Sequence, residues 1–438
     1  MLPDLLRKAV KLESNEVRAT LTSFGFVLVL MAAYYILRPV RDAMASDWTD
    51  AEVSWLWTLN FFICAIAVSV YGGAVTSVKF RNLVRSVYGF FSLSFFAFYL
   101  GTQFVSERVL VDKAFYVWVS VFSLFHISVF WSFMADLFTK AQSLRLFGFI
   151  GAGASVGALL GPSVPALFAG VMGVDNLLLV ASVMLLLTMP IVGFLQNLKS
   201  SDLQNQAHQV DQSEFEYIGG NPLAGFSEFV KSPYLIGIGL FILLYTSISS
   251  FVYFELKNLL ADYSREERTQ IRAFIDLVVN ILTLATAMFI TGRVASRFGV
   301  GVALALVPFI ICGGMLVIAA APVVAVVVAI DITRRAGNYA VTRPSREMLF
   351  TAVDRETRFK AKPVIDIVVY RGGDMINAWA FTALTQGLGL GLGAVALVGA
   401  GIASVWGLLG LYLGGVFKRQ QDSETTAEGD TELAAEAR

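Results

Sequence analysis

The sequence predicts an all-α membrane protein, with twelve transmembrane helices arranged as two six-helix bundles. Three features predict it: the composition, the number of long apolar runs, and a polar interval that divides those runs six and six. Of 438 residues, 56% are apolar and 15% are charged, against roughly 25% charged in an ordinary soluble domain. The mean hydropathy is +0.69, and Phe alone accounts for 35 residues. Such a composition excludes a water-soluble enzyme and makes the lipid bilayer the first partner of the chain.

A helix needs about 20 apolar residues to cross the hydrocarbon layer. Runs of that length lie near 20–40, 54–76, 83–105, 114–136, 146–168, 176–196, 234–256, 270–291, 300–320, 322–342, 362–386 and 394–417. Between the sixth and seventh, the chain turns polar, with Asp202, Asp211, Glu214, Glu216, Gly219, Gly220 and Pro222. The expected organisation is an N-terminal bundle over 1–198, a cytoplasmic linker over 199–233, a C-terminal bundle over 234–419, and a tail over 420–438. Rich in Ser, Thr, Glu and Ala, that tail is expected to be disordered. Two six-helix halves suggest an internal repeat, the plan of many secondary transporters.

Lysines and arginines in short loops are retained on the cytoplasmic side. With the N-terminus inside, 22 of the 33 basic residues fall on inner segments and eight on outer ones: Arg38, Arg41, Arg108, Lys113, Lys257, Arg265, Arg268 and Arg272. Arg334, Arg335 and Arg371 lie inside predicted spans. Both termini are therefore expected in the cytoplasm, and the chain in a bacterial inner membrane. The charged first 20 residues lack the pattern of a cleaved signal peptide.

Basic and acidic residues balance at 33 each, so no overall basic field recruits nucleic acid. Cys64 and Cys312 are far apart in apolar runs and read as packing residues. His126 and His208 cannot form a zinc cluster of the usual spacing, and no glycine-rich phosphate loop occurs. No cofactor or metal is expected. His126, midway along the fourth run, reads as a neutral imidazole bonded to a neighbouring helix, with a proton relay as the alternative.

The informative residues are charges at bilayer depth, each costing about 2.5–3.5 kcal/mol unless paired or solvated. In the tenth run Asp331, Arg334, Arg335 and Asn338 recur at i, i+3, i+4 and i+7, one helical stripe. Asp366, Tyr370, Arg371, Asp374 and Asn377 give the eleventh run a polar face, and Gly372 and Gly373 permit a bend or a close helix approach there. Two readings stay open for these stripes: an ion-pair network that locks helices, or a cavity in which guanidinium groups meet an anion. Arg offers a planar fork suited to carboxylate or phosphate oxygens. In the eighth run Asp276 shares a face with Asn280 and either carries a proton or pairs with Arg272. Gly148, Gly153, Gly157, Gly161 and Pro162 give the fifth run a small-residue stripe, either a static packing surface or a sliding seam.

The segment Thr291-Gly292-Arg293-Val294-Ala295-Ser296-Arg297-Phe298-Gly299 resembles the cytoplasmic signature of the major facilitator superfamily. Gly148, Gly157, Gly161 and Pro162 resemble the fifth-helix pattern of its antiporters. More specific patches resemble the nucleotide (ATP/ADP) antiporter family: Ile36-Leu37-Arg38-Pro39-Val40-Arg41-Asp42, Phe254-Glu255-Leu256-Lys257, and Phe359-Lys360-Ala361-Lys362-Pro363-Val364-Ile365-Asp366 running on to Tyr370-Arg371-Gly372-Gly373-Asp374. The resemblance implies transport roles for Arg38, Arg41, Lys360, Lys362 and Arg371, and an acidic position at Glu255. Pro39 stands where that family has an acid, and Arg41 where it has lysine.

The expectation is a monomeric secondary transporter that moves a small anionic solute, such as a nucleotide or phosphorylated metabolite, by alternating access. Substrate binding is assigned to Arg38, Arg41, Arg334, Arg335, Arg371, Asn338 and Tyr370. Coupling or ion pairing falls to Asp42, Glu255, Asp276, Asp331, Asp366 and Asp374, and gating to Gly292, Arg293, Arg297, Gly157, Gly161, Pro162, Lys360 and Lys362. The alternatives are proton-coupled transport of a non-nucleotide solute, a lipid flippase, and a non-transporting sensor or scaffold.

Overall fold

A computed structural model describes residues 13–77, 80–203, 224–289, 291–353, 361 and 364–436. Among the described residues each predicted run is largely helical, and none of them forms a strand. The α-helices are α1 (Val17–Met44), α2 (Asp50–Ser77), α3 (Phe80–Phe104), α4 (Arg108–Leu137), α5 (Lys140–Met172), α6 (Val174–Ser201), the short α7 (Ala224–Lys231), α8 (Pro233–Leu259), α9 (Arg265–Phe289), α10 (Thr291–Ala320), α11 (Val324–Gly337), α12 (Arg343–Leu349), α13 (Tyr370–Thr382) and α14 (Leu392–Glu436). Among the described residues, eight of these are long and apolar enough to cross a membrane: α1, α4, α5, α6, α8, α9, α10 and α14.

The two runs that carry the charge stripes are segmented. A π-helical stretch, Asn338–Thr342, joins α11 to α12, and two more, Val364–Val369 and Ala383–Gly387, flank α13. Of the two roles open to Gly372 and Gly373, a bend or a close helix approach, Gly373 takes the second, and both lie within regular α13. Gly373 admits α8: a Cβ there would stand 2.5 Å from the Thr246 hydroxyl. The tail departs from expectation, because α14 runs on as helix to Glu436. Extending an existing helix avoids the nucleation cost, and Glu, Ala and Leu propagate it well.

Local chemistry sets several helix starts. Thr139 and Gln142 form a reciprocal capping box at α5, as do Ser264 and Glu267 at α9. Ser232 caps α8 ahead of Pro233, which needs no amide partner at that position. Gly173, at φ 78°, makes the one-residue corner between α5 and α6.

The chain groups into two compact units, the first comprising Met1–Thr49, Trp55–Gly219 and Ala261–Asn280, the second Asp50–Ser54, Gly220–Leu260 and Ile281–Arg438. In the first unit α1 packs against α4, α5 and α6. Phe26 of α1 sits edge-on to Tyr88, Phe130 and Phe133, with centroids 5.5, 5.2 and 6.3 Å away. At the start of α1 the fully buried Glu16 accepts bonds of 2.8 and 3.1 Å from Arg145 of α5. In the second unit α8 packs against α11, α13 and α14, and α10 against α14. Trp406 lies 5.5 Å from Phe241 and 5.7 Å from Tyr245.

The fifth-run stripe is a contact surface for α1. A Cβ on Gly153 would meet the Phe24 carbonyl oxygen at 2.5 Å, one on Gly161 the Ala32 carbonyl at 2.7 Å, and one on Gly157 the Leu28 carbonyl. Gly148 has nothing within 4 Å and takes no part. Lipid offers no hydrophobic drive between helices, so close backbone approach supplies the dispersion contact that holds them. Gly157→Ala is therefore expected to destabilise the purified protein by ~1–3 kcal/mol through overpacking. Gly148→Ala is expected to be neutral or stabilising; thermal unfolding in detergent checks both.

Candidate functional site: two intramembrane charge clusters

The first unit gathers charge where α1 meets α4 and α9. Arg38, Arg41 and Asp42 occupy the last turns of α1. Arg41 donates twice to Asp42 Oδ1, at 2.7 and 2.9 Å, and once to Ser120 Oγ at 3.2 Å. Its guanidinium carbon stands 5.6 Å from the Tyr116 ring centroid. Arg38 lies 3.9 Å from Asp42 and 3.7 Å from Asp276. Of the two sequence readings of Asp276, the ion-paired one is present, with Arg38 rather than only its helix neighbour Arg272 as partner.

Helix α9 enters this unit by one stripe: Arg265, Arg268, Arg272, Asp276 and Asn280, spaced three and four residues apart. Asn280 donates to the Ala158 carbonyl of α5 at 2.7 Å. The sequence reading counted the three arginines with the outer segments; they stand on α9, with Arg268 and Arg272 each 6% exposed. The positive-inside count sorts charges by side and is blind to their periodicity, which was the available signal. At the head of the stripe runs a ladder of alternating charge that the sequence reading missed. Arg268 bonds Asp47, Asp47 bonds Arg265 at 2.7 Å, Arg265 bonds Asp112 at 2.9 Å, and Arg108 bridges Asp112 at 3.9 Å to Asp175.

The second unit holds the stripe of α11. Asp331, Arg334, Arg335 and Asn338 are all buried, at 4–9% exposure, as their shared face requires. Arg334 donates to Asp331 at 2.6 Å and to Ser249 Oγ of α8 at 2.9 Å, and its guanidinium lies 6.0 Å from the Tyr245 ring. Arg335 reaches the other oxygen of Asp331 at 3.7 Å. Asn338 donates to the Tyr245 hydroxyl at 3.2 Å, and Tyr245 faces Tyr370 with ring centroids 6.1 Å apart. Arg371 and Asp374 pair within α13 at 3.8 Å, while Asn377 bonds Ser247 at 2.8 Å and Thr246 at 3.1 Å. The ion pairs here lie within single helices, and the contacts to α8 run through Arg334, Asn338, Tyr370 and Asn377.

A third group surrounds Lys257, and its pairing with Asp50 escaped the sequence reading. Lys257, assigned there to an outer segment, is 2% exposed and donates to Asp50 at 2.8 Å and to Asn258 at 2.9 Å. Asp50 also accepts from Thr385 at 2.9 Å. Glu255 beside it is fully buried. His126 stacks on Tyr34 at 4.5 Å, and its Nδ1 lies 3.0 Å from the Ser123 carbonyl of its own helix, so its bond is within α4 rather than to a neighbour. Pro162 is buried within α5. Lys360 and Lys362 lie outside the described residues, as do the side chains of Arg293, Arg297 and Asp366; Gly292 lies in the first turn of α10. Among the described residues no metal-binding cluster occurs.

An all-helical chain with partnered arginines inside its apolar spans is a polytopic membrane protein of the transporter class. A model of the Major Facilitator Superfamily matches residues 23–341, and the chain belongs to that superfamily, which consists of transporters rather than enzymes. Solved structures agree in fold. A bacterial homolog of the human lysosomal transporter Spinster aligns at 13% identity over 93% of this chain and 97% of its own, with a TM-score of 0.57. The nucleoside transporter NupG aligns at 12% identity over 91% and 100%, with a TM-score of 0.62. The peptide transporter POT in complex with sulfate aligns at 14% over 92% and 95%, with a TM-score of 0.61. A search of the curated proteins finds no match.

The charge ladder makes a direct prediction. Asp112 is 2% exposed and sits between Arg265 and Arg108. Asp112→Asn is expected to cost about 1–3 kcal/mol, the range for hydrogen bonds to charged groups. The exposed Asp262, changed to Asn, is expected to shift stability by less than about 0.5 kcal/mol; chemical or thermal unfolding of both variants reads the difference.

Proposed function

We propose that this chain is a secondary transporter of an organic anion, such as a nucleotide or phosphorylated metabolite, working by alternating access as a monomer in a bacterial inner membrane with both termini cytoplasmic. The observation that carries the reading is Arg334. It is 4% exposed within a membrane-spanning unit, and it is held by Asp331, Ser249 and Tyr245 at the polar face that α11 and α13 present to α8. A guanidinium fixed in that manner is preorganised for carboxylate or phosphate oxygens. Arg335 shares the Asp331 carboxylate and Arg371 stands on α13, so three cations flank one polar face. In this reading the anion competes with Asp331 for the two guanidinium groups, and Asn338 and Tyr370 supply neutral donors. The resemblance of the Arg38, Arg41, Glu255 and Arg371 patches to the nucleotide antiporters supports a phosphorylated solute.

Binding of a ligand to the folded state alone stabilises it by about 2.7 kcal/mol at a hundred times its Kd. Across a panel of nucleotides, sugar phosphates and dicarboxylates, at least one is expected to raise the unfolding temperature of the purified protein, and neutral analogues are expected to leave it unchanged. The rise is expected to vanish in Arg334→Ala and Arg371→Ala. A stabilising anion whose effect survives both substitutions overturns the assignment of the site.

A further inference from the structure

Glu255 of α8 is fully buried, and neither of its carboxyl oxygens has a hydrogen-bond partner. It lies among apolar groups: Phe251 one turn earlier and Phe254 beside it both pack on Phe381 of α13, at 5.5 and 5.0 Å, and Val252 and Leu256 are wholly buried. An ionised carboxylate in such surroundings is costly without a cation or donors.

Among the described residues, the charges carried by the elements around α8 supply no cation for it. Lys257 is two residues away, on the opposite side of the helix, where residues do not face one another. It is already engaged by Asp50 at 2.8 Å. Glu52, on the same first turn of α2 as Asp50, is acidic and adds no positive charge. On α11, Arg334 and Arg335 both engage Asp331, at 2.6 and 3.7 Å. On α13, Arg371 engages Asp374 at 3.8 Å, and the membrane-spanning part of α14, 392–417, contains no Asp, Glu, Lys or Arg. Short α7 meets α8 far away, where Phe229 covers Gly239.

We infer that Glu255 is a proton-binding site of this transporter, occupied by a proton in the conformation described here and emptied when α8 is exposed to water. The proton bonds a carboxyl oxygen on loading and leaves to water on release, so each cycle through the exposed form carries one positive charge as H⁺. The proton site stands on the burial of Glu255 alone; its coupling to solute movement rests on the transport reading above.

Infrared spectroscopy of the purified full-length protein at pH 7 tests the site without any solute. The wild type is expected to show a carboxylic-acid C=O band that Glu255→Gln lacks, with Glu255→Met, apolar and of similar size, giving the same loss if the amide variant does not fold. A wild-type minus variant difference that contains only a carboxylate band overturns the proposal. In proteoliposomes containing an anion that stabilises the protein, an inward proton gradient is expected to accelerate wild-type uptake and to have no effect on the uptake rate of Glu255→Gln; acceleration that persists in the variant overturns the coupling. A wild type that moves no anion at all sinks the transport reading while leaving the infrared result intact.

Discussion

A charge carried to the level of the lipid tails must find a counter-charge or a polar partner there. Each arginine within the spans therefore dictates which helix stands next to it. Arg38 requires Asp276 and brings α9 to α1; Arg334 requires Ser249 as well as Asp331 and brings α11 to α8. Lys257 draws the first turn of α2 to the end of α8 through Asp50. Removing one member of such a pair strands the other in a low-dielectric interior, which makes the pairs strong determinants of helix position even where their net contribution to stability is small.

Backbone geometry answers the same constraint. The helices that carry the densest charge, α11 and α13, are those adjoined by π-helical stretches at Asn338–Thr342, Val364–Val369 and Ala383–Gly387. A wide turn shifts the helical register, which aims Asn338 at Tyr245 after a stripe that already directs Asp331, Arg334 and Arg335 inward. Irregular turns of this type concentrate at functional sites. Glycines provide the complementary freedom. Gly153, Gly157 and Gly161 let α5 rest on the backbone of α1, and Gly301 and Gly414 bring α10 and α14 into the same close approach. Charge pairing thus selects neighbours, and missing side chains let those neighbours touch.

Much of this was legible in the chain itself. Apolar run length located the long helices, and spacing alone placed Asp331, Arg334, Arg335 and Asn338 on one buried face, because a helical stripe is a property of consecutive residues. The same logic identified the glycine ridge of α5, though it included Gly148, which touches nothing. Composition failed at the tail, where polar residues signalled disorder and α14 continues to Glu436. Counting basic residues by side also passed over the helical stripe that Arg265, Arg268, Arg272 and Asp276 form.

Hydrophobicity and the 3.6-residue turn are local properties, so the chain alone settles its membrane helices, their order and the faces that cannot meet lipid. Which charge neutralises which is a property of the folded molecule. Lys257 and Asp50 are 207 residues apart, and Arg268 and Asp47 are 221 apart. No local pattern encodes such a partnership, because Coulomb attraction acts through space and the packing of distant segments sets the distances. The same packing leaves Glu255 buried with neither carboxyl oxygen hydrogen-bonded, a distinction invisible while it is one acidic residue among 33.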